Sequence, residues 1–186
     1  QKIQSPKSIL TRPTTLMVRE ALFNIVGDST RNSYWLDLFS GSGAVCCEAY
    51  NKGAKKIVAI EKNRKNAHIC LKNLLSLENA IERTNDFEVI CRDVISWTKP
   101  ENIRKNPCKI IDLNKHKFDF IYLDPPYKAE YYDLLIKQIF ESNLIKETSQ
   151  VICEHSKNKI ICENSKYKIK DIRSYGQTRL TFLIKI

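Results

Sequence analysis

Asp124-Pro125-Pro126-Tyr127 is the segment of this chain with the most specific chemical use. It follows an apolar run, FDFIYLD (118–124), and joins an acidic side chain, two prolines and an aromatic ring. The prolines remove amide donors and stiffen the turn. Such a turn suits capture of a planar amino group. The Asp124 carboxylate and the Pro125 carbonyl can each accept one N–H of an exocyclic amine, and Tyr127 offers a face for the base to stack on. The lone pair of that amine is delocalised into its ring. Acceptors placed about it favour the tetrahedral form and stabilise the positive charge that develops on attack.

Three further sites fall at the ends of apolar runs. After YWLDLF (34–39) comes Asp37-Leu38-Phe39-Ser40-Gly41-Ser42-Gly43, a glycine turn that lets backbone approach a ligand and opens a helix. KIVAIE (56–61) ends in Glu61, about twenty residues past the glycines, where a carboxylate can accept both hydroxyls of a ribose. FEVICRD (87–93) ends in Asp93, an acceptor for an adenine amino group. Together these indicate a nucleoside-containing cofactor, NAD or S-adenosylmethionine. Cys46 stands where the dinucleotide fingerprint has its third glycine, which counts against NAD.

These residues need a scaffold that brings strand ends together, and the hydrophobic pattern supplies one. A helix opens at Thr14 or Thr15, with Val18, Ala21, Leu22 and Ile25 at helical spacing, and Gly27-Asp28 closes it. Strand, turn and helix then repeat. A helix runs to about Lys52, and a longer one presents Ala67, Cys70, Leu71, Leu74 and Leu75 on one face. Another carries Tyr132, Leu135, Ile136, Ile139 and Phe140 inward, before the strand SQVICEH (149–155). The tail reads as strands over roughly 166–173 and 178–186, turning at Tyr175-Gly176. Alternating strands and helices predict a mostly parallel sheet covered on both faces, finished by an antiparallel hairpin. Residues 99–117 read as a basic loop available to RNA. The expectation is one α/β domain over 1–186, with 1–13 extended.

Composition narrows the partners. The 186 residues carry 31 Lys and Arg against 21 Asp and Glu, a net charge of +10, which points to nucleic acid. No apolar run approaches the ~20 residues of a membrane span. The 7 cysteines form no CxxC pair and read as buried free thiols in a reducing compartment rather than a disulfide framework. His68, His116 and His155 share no ligand spacing with them, so no metal site is expected. No secretory signal is expected. The chain starts at Gln1, which leaves room for a missing upstream segment, an organelle-targeting one included; otherwise the expected location is cytoplasmic.

The motifs RPTTLMVREALFNI (12–25), LDLFSGSGAV (36–45), AIEKN (59–63), RDV (92–94), FIYLDPPY (120–127) and YGQT (175–178) resemble, in order, those of the RsmD family. Those are class I S-adenosylmethionine-dependent methyltransferases that methylate N2 of a guanine in small-subunit ribosomal RNA. The likeness covers nearly the whole chain from Arg12 onward. It implies a Rossmann-like, mostly parallel seven-stranded sheet with a C-terminal antiparallel hairpin and helices on both faces. By the resemblance, Gly41 and Gly43 flank the methionine part of the cofactor, Asp37 lies near its amino group, and Ser40, Ser42 and Val94 also bind the cofactor. Glu61 holds the ribose, and Asp93 the adenine. Thr14 closes over the cofactor, and Arg12 and Arg19 meet the RNA. Asp124, Pro125, Pro126 and Tyr127 form the catalytic turn. The product would be S-adenosylhomocysteine, with no metal. The substrate would be ribosomal RNA within an assembled or partly assembled small subunit, and the enzyme a monomer. Family members usually start with a basic strand pair, in whose place only QKIQSPKSIL stands here. Three rivals share features with this reading: a DNA or RNA adenine N6-methyltransferase, an NAD-dependent oxidoreductase and a non-catalytic RNA-binding module.

Overall fold

Seven strands form one sheet in a computed structural model that describes residues 16–81, 87–105, 108–126 and 131–186. They are β1 (Tyr34–Asp37), β2 (Lys56–Ile60), β3 (Phe87–Ile90), β4 (Phe118–Leu123), β5 (Ile145–Ser156), β6 (Tyr167–Tyr175) and β7 (Thr178–Lys185). Their order across the sheet is β3-β2-β1-β4-β5-β7-β6. The first five pair in parallel, while β7 runs antiparallel to β5 and β6. The chain therefore moves outward from β1 to β3, then returns to β4 on the other side of β1. That reversal opens a crevice at the carboxyl ends of β1 and β4, the place where open α/β sheets bind ligands.

Alternating side chains split the core in two. Trp35, Ile57, Phe120, Ile152 and Phe182 face α1 (Leu16–Val26), α2 (Ala44–Asn51) and α3 (Arg64–Ile81). Leu36, Val58, Ile121, Val151 and Leu183 face the other way. That side is covered by the short α4 (Val94–Trp97) and α5 (Pro100–Lys105) and by α6 (Tyr132–Glu141). Burial on both faces is why the parallel strands are nearly continuous apolar runs. Phe23, Trp35 and Phe120 stack in a row, with ring centroids 5.2 and 5.0 Å apart, and fix α1 against the sheet.

Several boundaries differ from the sequence reading. In α1 the buried stripe is Val18, Leu22 and Val26 with Phe23, so Ile25 is exposed. In α3, Ala67, Cys70 and Leu74 face the core, while Leu71 and Leu75, about 100° round the helix, are exposed. β1 and β3 stop at Asp37 and Ile90, because the chain there turns over the sheet edge. Residues 99–117 are not a plain loop. They contain α5 and bury Ile103, Ile111 and Leu113, and Glu88 on β3 accepts the Lys109 N–H at 2.6 Å, pinning the segment down. Of the cysteines, Cys46, Cys47, Cys70 and Cys153 are buried, whereas Cys91 and Cys162 are exposed. Among the described residues, no helix is long and apolar enough to cross a membrane.

Candidate active site

The glycine loop is anchored strand by strand. Past β1, the Leu38 N–H donates to Tyr122 O at 3.0 Å on β4, and the Ser40 N–H donates to Ile60 O at 3.0 Å on β2. The loop thus crosses the carboxyl edge of the sheet. The Gly43 N–H closes it on Ser40 O at 2.6 Å, and the Cys47 N–H returns to Gly43 O at 2.8 Å as α2 begins.

The two glycines do different jobs. Gly43 has φ +82°, and a Cβ there would lie 2.5 Å from Cys70 Sγ. Its missing side chain admits α3, so the close approach is helix to loop rather than loop to ligand. Gly41, at φ +52°, would carry a Cβ whose nearest neighbour is Phe39 O at 3.9 Å. The space above Gly41 is open to a ligand. Asn73 of α3 adds a brace that the sequence reading missed: its Nδ2 donates to Ser42 O at 2.9 Å, in a buried position.

Carboxylates ring this loop. Glu61 accepts the Gly41 N–H at 3.0 Å on Oε2 and the Asn63 N–H at 2.7 Å on Oε1. Each oxygen keeps acceptor capacity for one more donor. Asp37, 2% exposed, takes the Phe39 N–H at 3.1 Å and the Cys46 thiol at 3.4 Å. Burial lifts its pKa to about 7; those hydrogen bonds oppose the rise, and the charges of Glu61 and Glu154 add to it. Cys46 sits where a dinucleotide fingerprint has glycine, fully buried, and a hydrogen bond with Cys70 together with burial holds its thiol protonated. Asp93 is the N-cap of α4, its Oδ1 accepting the Ser96 N–H at 3.0 Å. Val94 follows with its side chain buried, at a helix position whose N–H has no partner inside the helix.

β4 delivers the remaining group to the same edge. Asp124 is half-buried immediately past β4, Pro125 is buried and Pro126 exposed. Tyr122 precedes them, and its hydroxyl donates to the buried carboxylate of Glu154, while the Tyr132 hydroxyl donates to Glu154 O at 3.0 Å. Glu154 is a second residue that the sequence reading missed. Its signal was a charge inside the apolar run VICEH. The Asp124 charge helps raise the pKa of Tyr132 after burial, and the Asp93 charge that of Tyr131 after burial. The ends of β3 and β4 therefore share one electrostatic environment with the start of α6. Arg19 lies half-buried on α1, with its Nε buried and lacking a hydrogen-bond partner among the described residues. Arg12, Thr14 and Tyr127 lie outside the described residues.

The edge fits an adenosyl-methionine ligand. Space lies open over Gly41, the nearby Ser40 Oγ is buried without a partner among the described residues, and acid groups stand at the ends of β1, β2 and β3. Residues 1–184 match the family described as Conserved hypothetical protein 95. Ribosomal RNA small subunit methyltransferase D of Buchnera aphidicola (subspecies Baizongia pistaciae) is 31% identical over 144 residues. That match takes in 77% of this chain and 64% of that protein. The candidate methyltransferase yhhF of Escherichia coli superposes with a TM-score of 0.77 at 19% identity, covering 96% of this chain and 90% of that one. A further candidate methyltransferase, SMU.776, solved in complex with SAH, superposes with a TM-score of 0.66 at 17% identity. That superposition covers 91% of this chain and 48% of the other. With the sheet order, the glycine loop and the Asp-Pro-Pro turn in place, the match over 1–184 makes this chain a member of the Conserved hypothetical protein 95 family, to which the RsmD methyltransferases belong.

Proposed function

We propose that this chain methylates N2 of a guanine in small-subunit ribosomal RNA, acting as one domain and as a monomer on an assembled or partly assembled subunit. The wider statement, an S-adenosylmethionine-dependent ribosomal RNA methyltransferase, rests on family membership and on the relatives' activity and bound product. The observation that carries the finer reading is the Asp124-Pro125 turn at the crevice between β1 and β4, beside the loop with open space over Gly41.

The chain's residues divide the work. Asp37 receives the ammonium of the methionine part, Glu61 accepts from the ribose hydroxyls, and Asp93 offers Oδ2 to the adenine amine while Val94 offers its N–H. Thr14 closes over this ligand from the start of the chain. Arg19 and Arg12 meet the RNA phosphates, and the target guanine is turned out of its stack. Tyr127 stacks on the base. Asp124 and the Pro125 carbonyl accept the N2 hydrogens, Pro126 stiffens the turn, and the nitrogen lone pair is left facing the ligand. S-adenosylmethionine supplies an activated methyl, so the protein contributes positioning and charge stabilisation. The proton released from N2 leaves to solvent or through Asp124. The test is transfer of labelled methyl, in the presence of a chelator, to unmethylated small subunits, free ribosomal RNA and DNA. Label in guanosine of subunits or ribosomal RNA supports the reading; label in adenosine, or in DNA alone, supports the adenine N6 alternative and refutes it.

A further inference from the structure

At the opposite end of β1 lies a cleft of about 570 Å³, lined by Asp28, Arg31, Asn32, Tyr50, Lys52 and Lys55. It sits where the turn after α1, the end of α2 and the starts of β1 and β2 meet. Its walls are tied together. The Asn32 N–H donates to Gly53 O at 2.8 Å, the Arg31 N–H to Asp28 O at 3.0 Å, and the Lys55 N–H to Ser33 O at 2.7 Å. Asn32 holds a left-handed φ of 62°, a conformation few side chains accept. Gly53 turns with φ +86°, a left-handed backbone that favours glycine, beside the Arg31 stem.

The positive charge here is exposed and outnumbers its acid, with Lys55 Nζ 5.9 Å from the Tyr34 ring centroid. Arg31, Lys52 and Lys55 form no ion pair among the described residues, and Asp28 is the one acid in the lining. By contrast, Lys146, Lys159, Lys166, Arg173 and Lys185, around α6 and the hairpin, each meet a carboxylate. The lining mixes polar and apolar surface, and its charged groups are three cations against one acid. Exposed cations that line a preformed open cleft suit phosphodiesters. The four-residue β1 runs from beside the cleft to Asp37, about 13 Å at strand rise, so the flipped nucleotide cannot reach both ends.

We propose that this cleft is a second RNA site, which grips backbone phosphates of an RNA segment flanking the target and thereby favours structured ribosomal RNA over a short fragment. The proposal rests on the ribosomal RNA reading above. The test compares Arg31→Glu/Lys52→Glu/Lys55→Glu with a control of equal charge change, Lys157→Glu/Lys168→Glu/Lys170→Glu, all six residues being exposed. Binding to a small-subunit ribosomal RNA transcript is followed by fluorescence anisotropy over a salt series, and S-adenosylmethionine binding by calorimetry reports that each variant is folded. The cleft variant should bind RNA about tenfold or more weakly, with the slope of log K against log salt shallower by about 2, at ~0.7 per lost phosphate contact. The control should change affinity less than about threefold. Equal weakening in both variants, or none in the cleft variant, overturns the proposal. Unchanged affinity for bare RNA with lost affinity for whole subunits also overturns it, since the occupant would then be a protein. Methyl transfer by the wild type is scored separately: intact RNA binding without transfer sinks the enzymatic reading alone and leaves the cleft standing.

Discussion

Replacing Asp37 by Asn isolates a buried and strongly perturbed carboxyl at the site. In the folded protein its pKa is about 7 against an ordinary 3.8, with burial as the largest cause. A raised acid pKa means the folded chain holds the proton more tightly than the unfolded chain. The stability linked to that proton is whole below pH 3.8 and is lost as pH rises through about 7. At about 1.4 kcal/mol per tenfold step, the full interval comes to about 4 kcal/mol, of which roughly 2–3 falls between pH 5 and 8. Asparagine keeps an oxygen for the Phe39 N–H and does not titrate. In urea denaturation at both pH values, the Asn variant should gain about 2–3 kcal/mol on the wild type on going from pH 5 to 8. If Asp37 ionises to take the ligand's ammonium, wild-type affinity for S-adenosylmethionine should rise about tenfold or more from pH 5.5 to 7. The variant should bind weakly and without that slope. A stability gap that ignores pH, or equal pH slopes of binding, would refute the assignment.

Gly43→Ala should cost about 2–5 kcal/mol in denaturation, combining left-handed strain with overpacking against Cys70, and Gly43→Ala/Cys70→Ala should recover part of it. A wild-type-like Gly43→Ala would contradict the packing role. Gly41→Ala should be milder in stability but weaken S-adenosylmethionine binding, because its Cβ enters the open space. Glu61→Ala leaves the Gly41 and Asn63 N–H groups without their acceptor and should weaken that binding by about 1–3 kcal/mol in calorimetry, with unaltered binding as the contrary result. Asp124→Ala should lower turnover on small subunits by ~10²–10³ while ligand binding and melting temperature hold, and Asp124→Asn should retain more activity. Full turnover in the alanine variant would remove Asp124 from the chemistry.

Much of this architecture is legible in the chain because burial on both sheet faces writes itself as apolar runs. The hairpin is legible for a local reason too: β6 ends at Tyr175 and Gly176 turns with φ +60°. What stays hidden depends on partners far along the chain. The glycine pattern alone cannot reveal that Gly43 faces Cys70, 27 positions on, because α3 packing decides it. Asn73 and Glu154 read as ordinary polar residues until Ser42 and Tyr122 are brought against them. The segment 99–117 looks like a solvated loop because its lysines outnumber Ile103, Ile111 and Leu113, yet those three anchor it. Asp93 carries a helix cap as well as its expected ligand role, and a sequence cannot apportion one carboxylate between two uses.

Nucleoside analysis of the methylated product tests the central claim most directly. Small subunits from cells lacking this protein are incubated with the pure chain and methyl-labelled S-adenosylmethionine, and their RNA is digested and resolved by mass spectrometry. The account predicts label in N2-methylguanosine, abolished in Asp124→Ala. Label in N6-methyladenosine, or none in ribosomal RNA, would contradict it.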